Sequence, residues 1–277
     1  MGALLALASA ACYGLSDFAG GLLSRHTHAT HVALAGQAGG LVLALAATPL
    51  ATAAAVSPAD VGWGLLSGVG TGVGMLLLFR GLSRAAMSVV VPVSAVGGVA
   101  LPVLAGVVLL GERPSLAAWA GIGVAVPALW LVSRPRDGGS GPVAAAGDGL
   151  LAGAGIALQY LALAQAGPAS GLWPVVAGRV AAIGTLLVPA LAAARRPRPP
   201  ARVTLGAAAT GAAAALALVC YLLATRQQLV VIAVVLSSLY PAIPVLLGIT
   251  LLRERLSWTQ TAGLGAAGAA VALLTAG

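Results

Sequence analysis

Asp17 lies near the middle of an apolar run, within "YGLSDFAGG" at residues 13–21. A carboxylate at the centre of a bilayer costs about 2.5–3.5 kcal/mol on insertion scales, so such a residue faces a cavity and usually has a task. Two chemistries suit it: pairing with a substrate amine, or binding and releasing a proton. A kinked or shallow segment in which Asp17 merely meets water is the competing role. Tyr13 sits one turn earlier on the same helical face and can hydrogen-bond the same ligand. Arg179, in "GLWPVVAGRVAAIG", is the second charge inside an apolar run. It follows Pro174 by five residues, so its guanidinium can either snorkel to the interface or turn inward. Turned inward, it would pair with Asp17 or receive a substrate carboxylate bidentately. Asp17 and Arg179 together would suit a zwitterion such as an amino acid.

Four prolines mark further candidates. Pro92 and Pro102 are expected to interrupt a fourth apolar run, Pro241 and Pro244 a ninth. Proline removes a helical hydrogen bond and frees a carbonyl, which lipid tolerates only beside protein or a water-lined cavity. Interrupted helices at matching places in two halves point to a binding site, with packing kinks as the alternative. Ser94, Ser237, Ser238 and Tyr240 flank these breaks and offer neutral hydrogen bonds. Gln37, Gln159 and Tyr160 are weaker candidates on the second and sixth runs.

Other motifs reduce to structure. "GLGAAG" at 263–268 has the letters of a dinucleotide fingerprint but lacks the strand that motif needs, and so reads as helix packing. Gly64, Gly68 and Gly72, spaced by four, mark a close helix–helix contact. "HTHATH" at 26–31 gathers all three histidines in a loop without a carboxylate or thiol, so a solvated loop is expected rather than a metal site. Glu112 and Glu254 sit at interfacial run ends, where capping or a loop salt bridge is expected. Cys12 and Cys220 read as small core residues. No cofactor or metal is expected.

The elements that must position these residues follow from composition. The chain has 277 residues, 60% hydrophobic and 7% charged, against roughly 25% charged in soluble domains. A soluble fold could not cover such a surface, so the class is an all-α polytopic membrane protein, with the lipid bilayer as its solvent. Ten runs are long enough to span: about 2–23, 31–50, 61–80, 87–110, 116–133, 149–166, 172–194, 204–225, 229–252 and 258–276. The first is expected to be a retained span rather than a signal peptide, because it has no basic n-region. The net charge of +8 does not point to nucleic acid, since the arginines cluster in short segments between apolar runs.

The polar stretch at 134–148 divides the chain into 1–133 and 149–277, five runs each. The halves match: "LPVLAGVVLLGERPSLAAWAGIGVAV" (101–126) and "IPVLLGITLLRERLSWTQTAGLGAAG" (243–268) align without a gap at an offset of 142. Pro102 falls on Pro244, Glu112 on Glu254 and Ser115 on Ser257, and the register extends back to Phe79 on Tyr221. A duplicated unit with five spans must be inverted in the membrane, giving ten helices as two inverted five-helix repeats.

An apolar run with an embedded proline, ending in "GER" or "RER" and followed by a small-residue span, twice in ten spans, resembles the drug/metabolite transporter superfamily of EamA type. The resemblance covers essentially the whole chain. It implies a ten-helix transporter of small metabolites, often outward, and leaves the substrate open. Asp17 departs from that family's pattern, so its role cannot be carried over. Rival classes lack their signatures: a membrane protease would need an intramembrane histidine beside a serine, and a metal-dependent lipid enzyme would need clustered aspartates. A passive channel or receptor fits duplication with broken helices less well.

Eleven arginines lie in or beside the odd-numbered loops and two, Arg113 and Arg226, in the rest. The positive-inside rule therefore places the odd-numbered loops in the cytoplasm and both termini outside, although ten-span relatives generally have both termini inside. The arginine-only basic set with abundant Ala and Gly suits a bacterial plasma (inner) membrane protein. The expected partner is a small-molecule substrate, with no nucleic acid. Monomer and homodimer stay equally open.

Overall fold

The structure, a computed structural model, describes residues 2–110, 115–132, 141–163, 165–192, 199–225, 227, 237 and 240–276. Among these are ten α-helices: α1 (Gly2–His26), α2 (Ala29–Ala47), α3 (Pro58–Leu82), α4 (Met87–Leu110), α5 (Leu116–Val132), α6 (Gly141–Leu163), α7 (Trp173–Ala192), α8 (Ala201–Thr225), α9 (Ala242–Thr250) and α10 (Trp258–Ala276). Six of the segments are long and apolar enough to cross a membrane. Helices dominate because a backbone in lipid must satisfy its own hydrogen bonds. Local chemistry sets their ends. Ser57 and Asp60 form a capping box at the start of α3, with Pro58 in the first turn. Ser257 and Gln260 exchange the same pair of bonds at the start of α10. His28 accepts from Thr30 N at the start of α2, a structural use of one histidine of "HTHATH".

The distribution of polarity is that of a bilayer protein. Leu4, Val42, Val126, Val188 and Leu205 point outward, whereas Ser16, Asp17, Gln37, Gln159 and Arg179 are buried. The helices pair in a pseudo-symmetric pattern. α3 packs on α6 as α8 packs on α1, and α2 packs on α8 as α7 packs on α3. The contacts α2–α7, α4–α9 and α5–α10 map onto themselves under the same exchange of α1–α5 with α6–α10. Small residues let these pairs approach. Carbonyls of Pro174, Gly178 and Ala182 on α7 occupy the places where Cβ atoms of Gly64, Gly68 and Gly72 would be, so the spaced glycines make the close contact expected of them.

Two expectations change. The stretch 134–148 is not all linker: α6 starts at Gly141, so residues 141–148 are its first two turns. Helix α4 runs unbroken through Pro92 and Pro102. On the other side, Tyr240 and Pro241 form a turn, and α9 begins directly after it with Pro244 in its first turn. A helix start has no intrahelical partner for the missing N–H, so Pro241 and Pro244 there cost no bond. Residues 229–236 of the expected ninth span lie outside the described residues, as do Glu112 and Ser238 and the side chains of Pro102 and Tyr160.

Candidate functional site

Gln37 is the ninth residue of the nineteen in α2 and Arg179 the seventh of twenty in α7, and the two meet where these helices pack together. Arg179 is only 4% exposed, so it turns inward rather than snorkelling. Its Nη1 donates to Gln37 Oε1 at 2.7 Å. A Cβ at Gly40, one turn along α2, would lie 3.0 Å from Gly211 O and 3.3 Å from Arg179 Nε, so this glycine lets α2 approach both α8 and the guanidinium. From α6, Gln159 Oε1 accepts from Thr71 Oγ1 at 2.9 Å, and Gln159 Nε2 reaches toward Tyr13 OH at 3.5 Å. Tyr13, Gln37, Gln159 and Arg179 therefore line one cavity of about 20 Å³, together with Ser16, Thr71 and Thr210. That volume holds about one water. Ser16 Oγ donates to Thr210 O at 2.7 Å and Thr210 Oγ1 to Ala207 O at 2.8 Å, tying α1 to α8 beside the site.

Other candidates fall outside this lining. Asp17 is 4% exposed and is not among the cavity's lining residues. Its helical neighbours Gly14 and Gly21 abut Ile243 of α9, Leu82 at the end of α3 and Met87 at the start of α4, so Asp17 lies on the stripe of α1 turned toward those helices. The ion pairs among the described residues do not include Asp17 with Arg179. Tyr240, in the turn before α9, meets Tyr13 with ring centroids 5.9 Å apart and thus touches the site from behind. Ser94 is buried on α4 and its Oγ has no hydrogen-bond partner. Ser237 Oγ donates to Ala6 O at 3.4 Å, well along α1 from Tyr13.

A second cavity, about 770 Å³, opens above the first and is lined by Arg25, His26, His28, Leu76, Arg80 and Arg84 among others. From Ala29 at its edge to Gln37 is about 12 Å along α2, at 1.5 Å per residue. Ala33, Met75 and Phe79 line the smaller cavity on its vestibule side, and the Phe79 ring rests against Gly20, where a Cβ would be 2.5 Å away.

Ion pairs brace the same end. Arg80 Nε donates to Asp148 Oδ2 at 3.0 Å, and Arg84 Nη1 to the same oxygen at 3.3 Å, joining α3 to α6. Glu254 accepts from Met87 N at 2.9 Å and from Ser88 N at 3.1 Å, Ser88 Oγ at 2.9 Å and Arg25 Nη2 at 3.0 Å. It caps α4 and makes the loop salt bridge, the role expected for it. Asp148 escaped sequence reasoning because it sits in a stretch that reads as linker. The available signal was Arg80 and Arg84, one in the last turn of α3 and one in the turn that follows it, close enough in the chain to share a carboxylate.

The profile of the EamA-like transporter family matches residues 1–134 and again residues 140–276. The chain belongs to the EamA-like transporter family. Its two matches cover α1–α5 and α6–α10. A solved structure titled "Crystal structure of protein" has a TM-score of 0.61 at 18% identity, over 98% of this chain and 95% of that one, which shows a shared fold. A comparison with curated proteins finds no match.

In this EamA-like transporter the offset of 142 that aligns the run ends also relates the site. It carries Leu116, the start of α5, onto Trp258, the start of α10. It carries Gln37 onto Arg179, the hydrogen-bonded pair, so equivalent positions of the two repeats meet where α2 crosses α7. It also carries Asp17 onto Gln159. Each repeat thus supplies two polar positions, amide and carboxylate from the first, amide and guanidinium from the second.

Proposed function

We propose that the protein is a secondary-active transporter that passes small polar metabolites through the cavity between the repeats by alternating access. The observation that carries this reading is the polar site itself: α1, α2 and α3 of one repeat and α6, α7 and α8 of the other each supply lining residues. A site at a repeat interface is exposed to one side or the other as the repeats rock. Gln37, Arg179, Gln159 and Tyr13 contact substrate in this reading, and Tyr240 supports Tyr13.

The vestibule lies at the end carrying Arg25, Arg80 and Arg84, the arginine-rich end that charge bias assigns to the cytoplasm. A cavity loaded from that side serves export. Asp17, buried outside the lining and turned toward α4 and α9, serves as the proton carrier that couples transport to the pH gradient rather than as a substrate partner.

The test is flux of pooled labelled metabolites in proteoliposomes, with and without an imposed pH gradient, for wild type beside Asp17→Asn. Gradient-driven flux should fall at least tenfold in Asp17→Asn while exchange without a gradient persists. Equal gradient response in both proteins removes Asp17 from coupling.

A further inference from the structure

We infer that the transported substrate is a small organic anion bearing a carboxylate, held by Arg179 and drawn in through the arginine-lined vestibule; this rests on the transporter reading above.

The inference comes from which hydrogen-bonding groups the site presents. An arginine has donors only, so the Gln37 amide must turn its oxygen toward Arg179, and its NH2 faces elsewhere. Thr71 Oγ1 donates either to Ser67 O or to Gln159 Oε1. In the second arrangement Gln159 likewise presents its NH2, the group directed toward Tyr13. The Ser16 and Thr210 protons are spent on carbonyls of α8. With Thr71 donating to Gln159, the lining residues carry one cation and two amides whose oxygens are engaged, and no carboxylate lines the cavity among the described residues. Such a set stabilises an acceptor-rich ligand. A planar guanidinium matches a carboxylate bidentately, whereas an ammonium would meet Arg179 as a like charge. Asp17, the residue that could have balanced an amine, is not in the lining.

The vestibule agrees in sign. Arg25, Arg80 and Arg84 line it, while their partners Glu254 and Asp148 are not among its described lining residues. Three guanidiniums against two carboxylates leave an excess of one positive charge, with the cationic groups facing the space. A cleft of one sign raises the local concentration of counter-charged solute. Phe79, Met75 and Ala33 lie between this space and Arg179, so the vestibule collects the anion before the site admits it.

The experiment uses the full-length protein in proteoliposomes and three labelled pools with matched carbon skeletons: C3–C8 monocarboxylates, the corresponding primary amines, and the corresponding 2-amino acids. Flux is counted above that of empty liposomes. Saturable carboxylate flux with amines at background is expected, falling at least tenfold in Arg179→Gln and partly kept in Arg179→Lys. Initial rates should also fall as ionic strength rises from about 10 mM to about 150 mM, which shortens the Debye length from about 30 to about 8 Å. That salt dependence should weaken in Arg84→Gln. Amino-acid flux alongside carboxylate flux agrees with the inference. Amino-acid flux without carboxylate flux, amine flux, or Arg179→Gln flux equal to wild type overturns it and leaves the transporter reading standing. No flux from any pool overturns the inference and leaves the transporter reading to the wider metabolite pool. Should Arg179→Gln fail to fold, thermal unfolding of detergent-purified wild type decides: carboxylates must raise the midpoint and amines must not, and the reverse pattern overturns the inference.

Discussion

At the scale of single residues, burial and partner decide what a charge does. Arg179 and Glu254 show the contrast. From the sequence, Arg179 could lie at the interface or inside; the tertiary structure puts it against Gln37, on a position that duplication makes equivalent to its own. Glu254 carries the repeated "ER" signature, and its carboxylate is consumed by two backbone N–H groups, one hydroxyl and one guanidinium. Charge-assisted bonds to a helix N-terminus stabilise more than a partly exposed ion pair does. Glu254→Ala should therefore destabilise the protein by about 1–3 kcal/mol through the unsatisfied α4 amides. Glu254→Gln should lose less, and Arg25→Gln, which removes only the ion pair, should cost about 0–1 kcal/mol. Thermal unfolding in detergent ranks the three. An Arg25→Gln loss as large as that of Glu254→Ala would show that the salt bridge, not the cap, holds this corner.

Helices associate in a membrane without a hydrophobic drive between them, so close packing through small residues has to supply the attraction. Helix α3 carries both kinds of glycine. At Gly68 a Cβ would fall on the Gly178 carbonyl, and backbone cannot step aside as a side-chain tip can; at Gly62, on the same helix, it meets nothing within 4 Å. Gly68→Ala should cost about 1–3 kcal/mol by forcing α3 from α7. Gly62→Ala should be neutral or slightly stabilising, because alanine favours a helix. Denaturation midpoints of the two variants give the comparison, and equal midpoints would mean that α3 and α7 do not pack through this stripe. The spacing of Gly64, Gly68 and Gly72 announced a contact in the sequence. It did not name α7 as the partner, because glycine periodicity identifies a face and not what lies opposite.

For the whole molecule, the arrangement of the described helices in two exchangeable sets places a polar site where the repeats meet and a broad opening above it. The opening is at the arginine-rich end, which fixes an expectation for topology. A reporter that is active only outside the cytoplasm should be active when fused after Gly277, and a cytoplasmic reporter there should be silent. The opposite result reverses the membrane orientation and turns the vestibule toward the exterior, making it a release path or an uptake entrance. The halves differ at their prolines. Pro102 sits inside continuous α4, whereas its equivalent Pro244 lies in the first turn of α9, so this one repeated proline serves two different local backbones.

The sequence by itself determined the membrane class, the ten apolar runs, the duplication and the presence of two charges within those runs, because hydrophobic length, charge and repeat register are properties of the chain read locally. It also picked out Tyr13, Gln37, Gln159 and Arg179, since polar side chains in apolar runs are costly wherever they point. Only the tertiary structure decided that these four converge while Asp17 and Ser94 lie outside the lining, and that Asp148 belongs to a helix and braces Arg80 and Arg84. Those outcomes depend on the rotation of each helix about its axis and on its neighbour, and both are set by packing between segments that lie far apart in the chain.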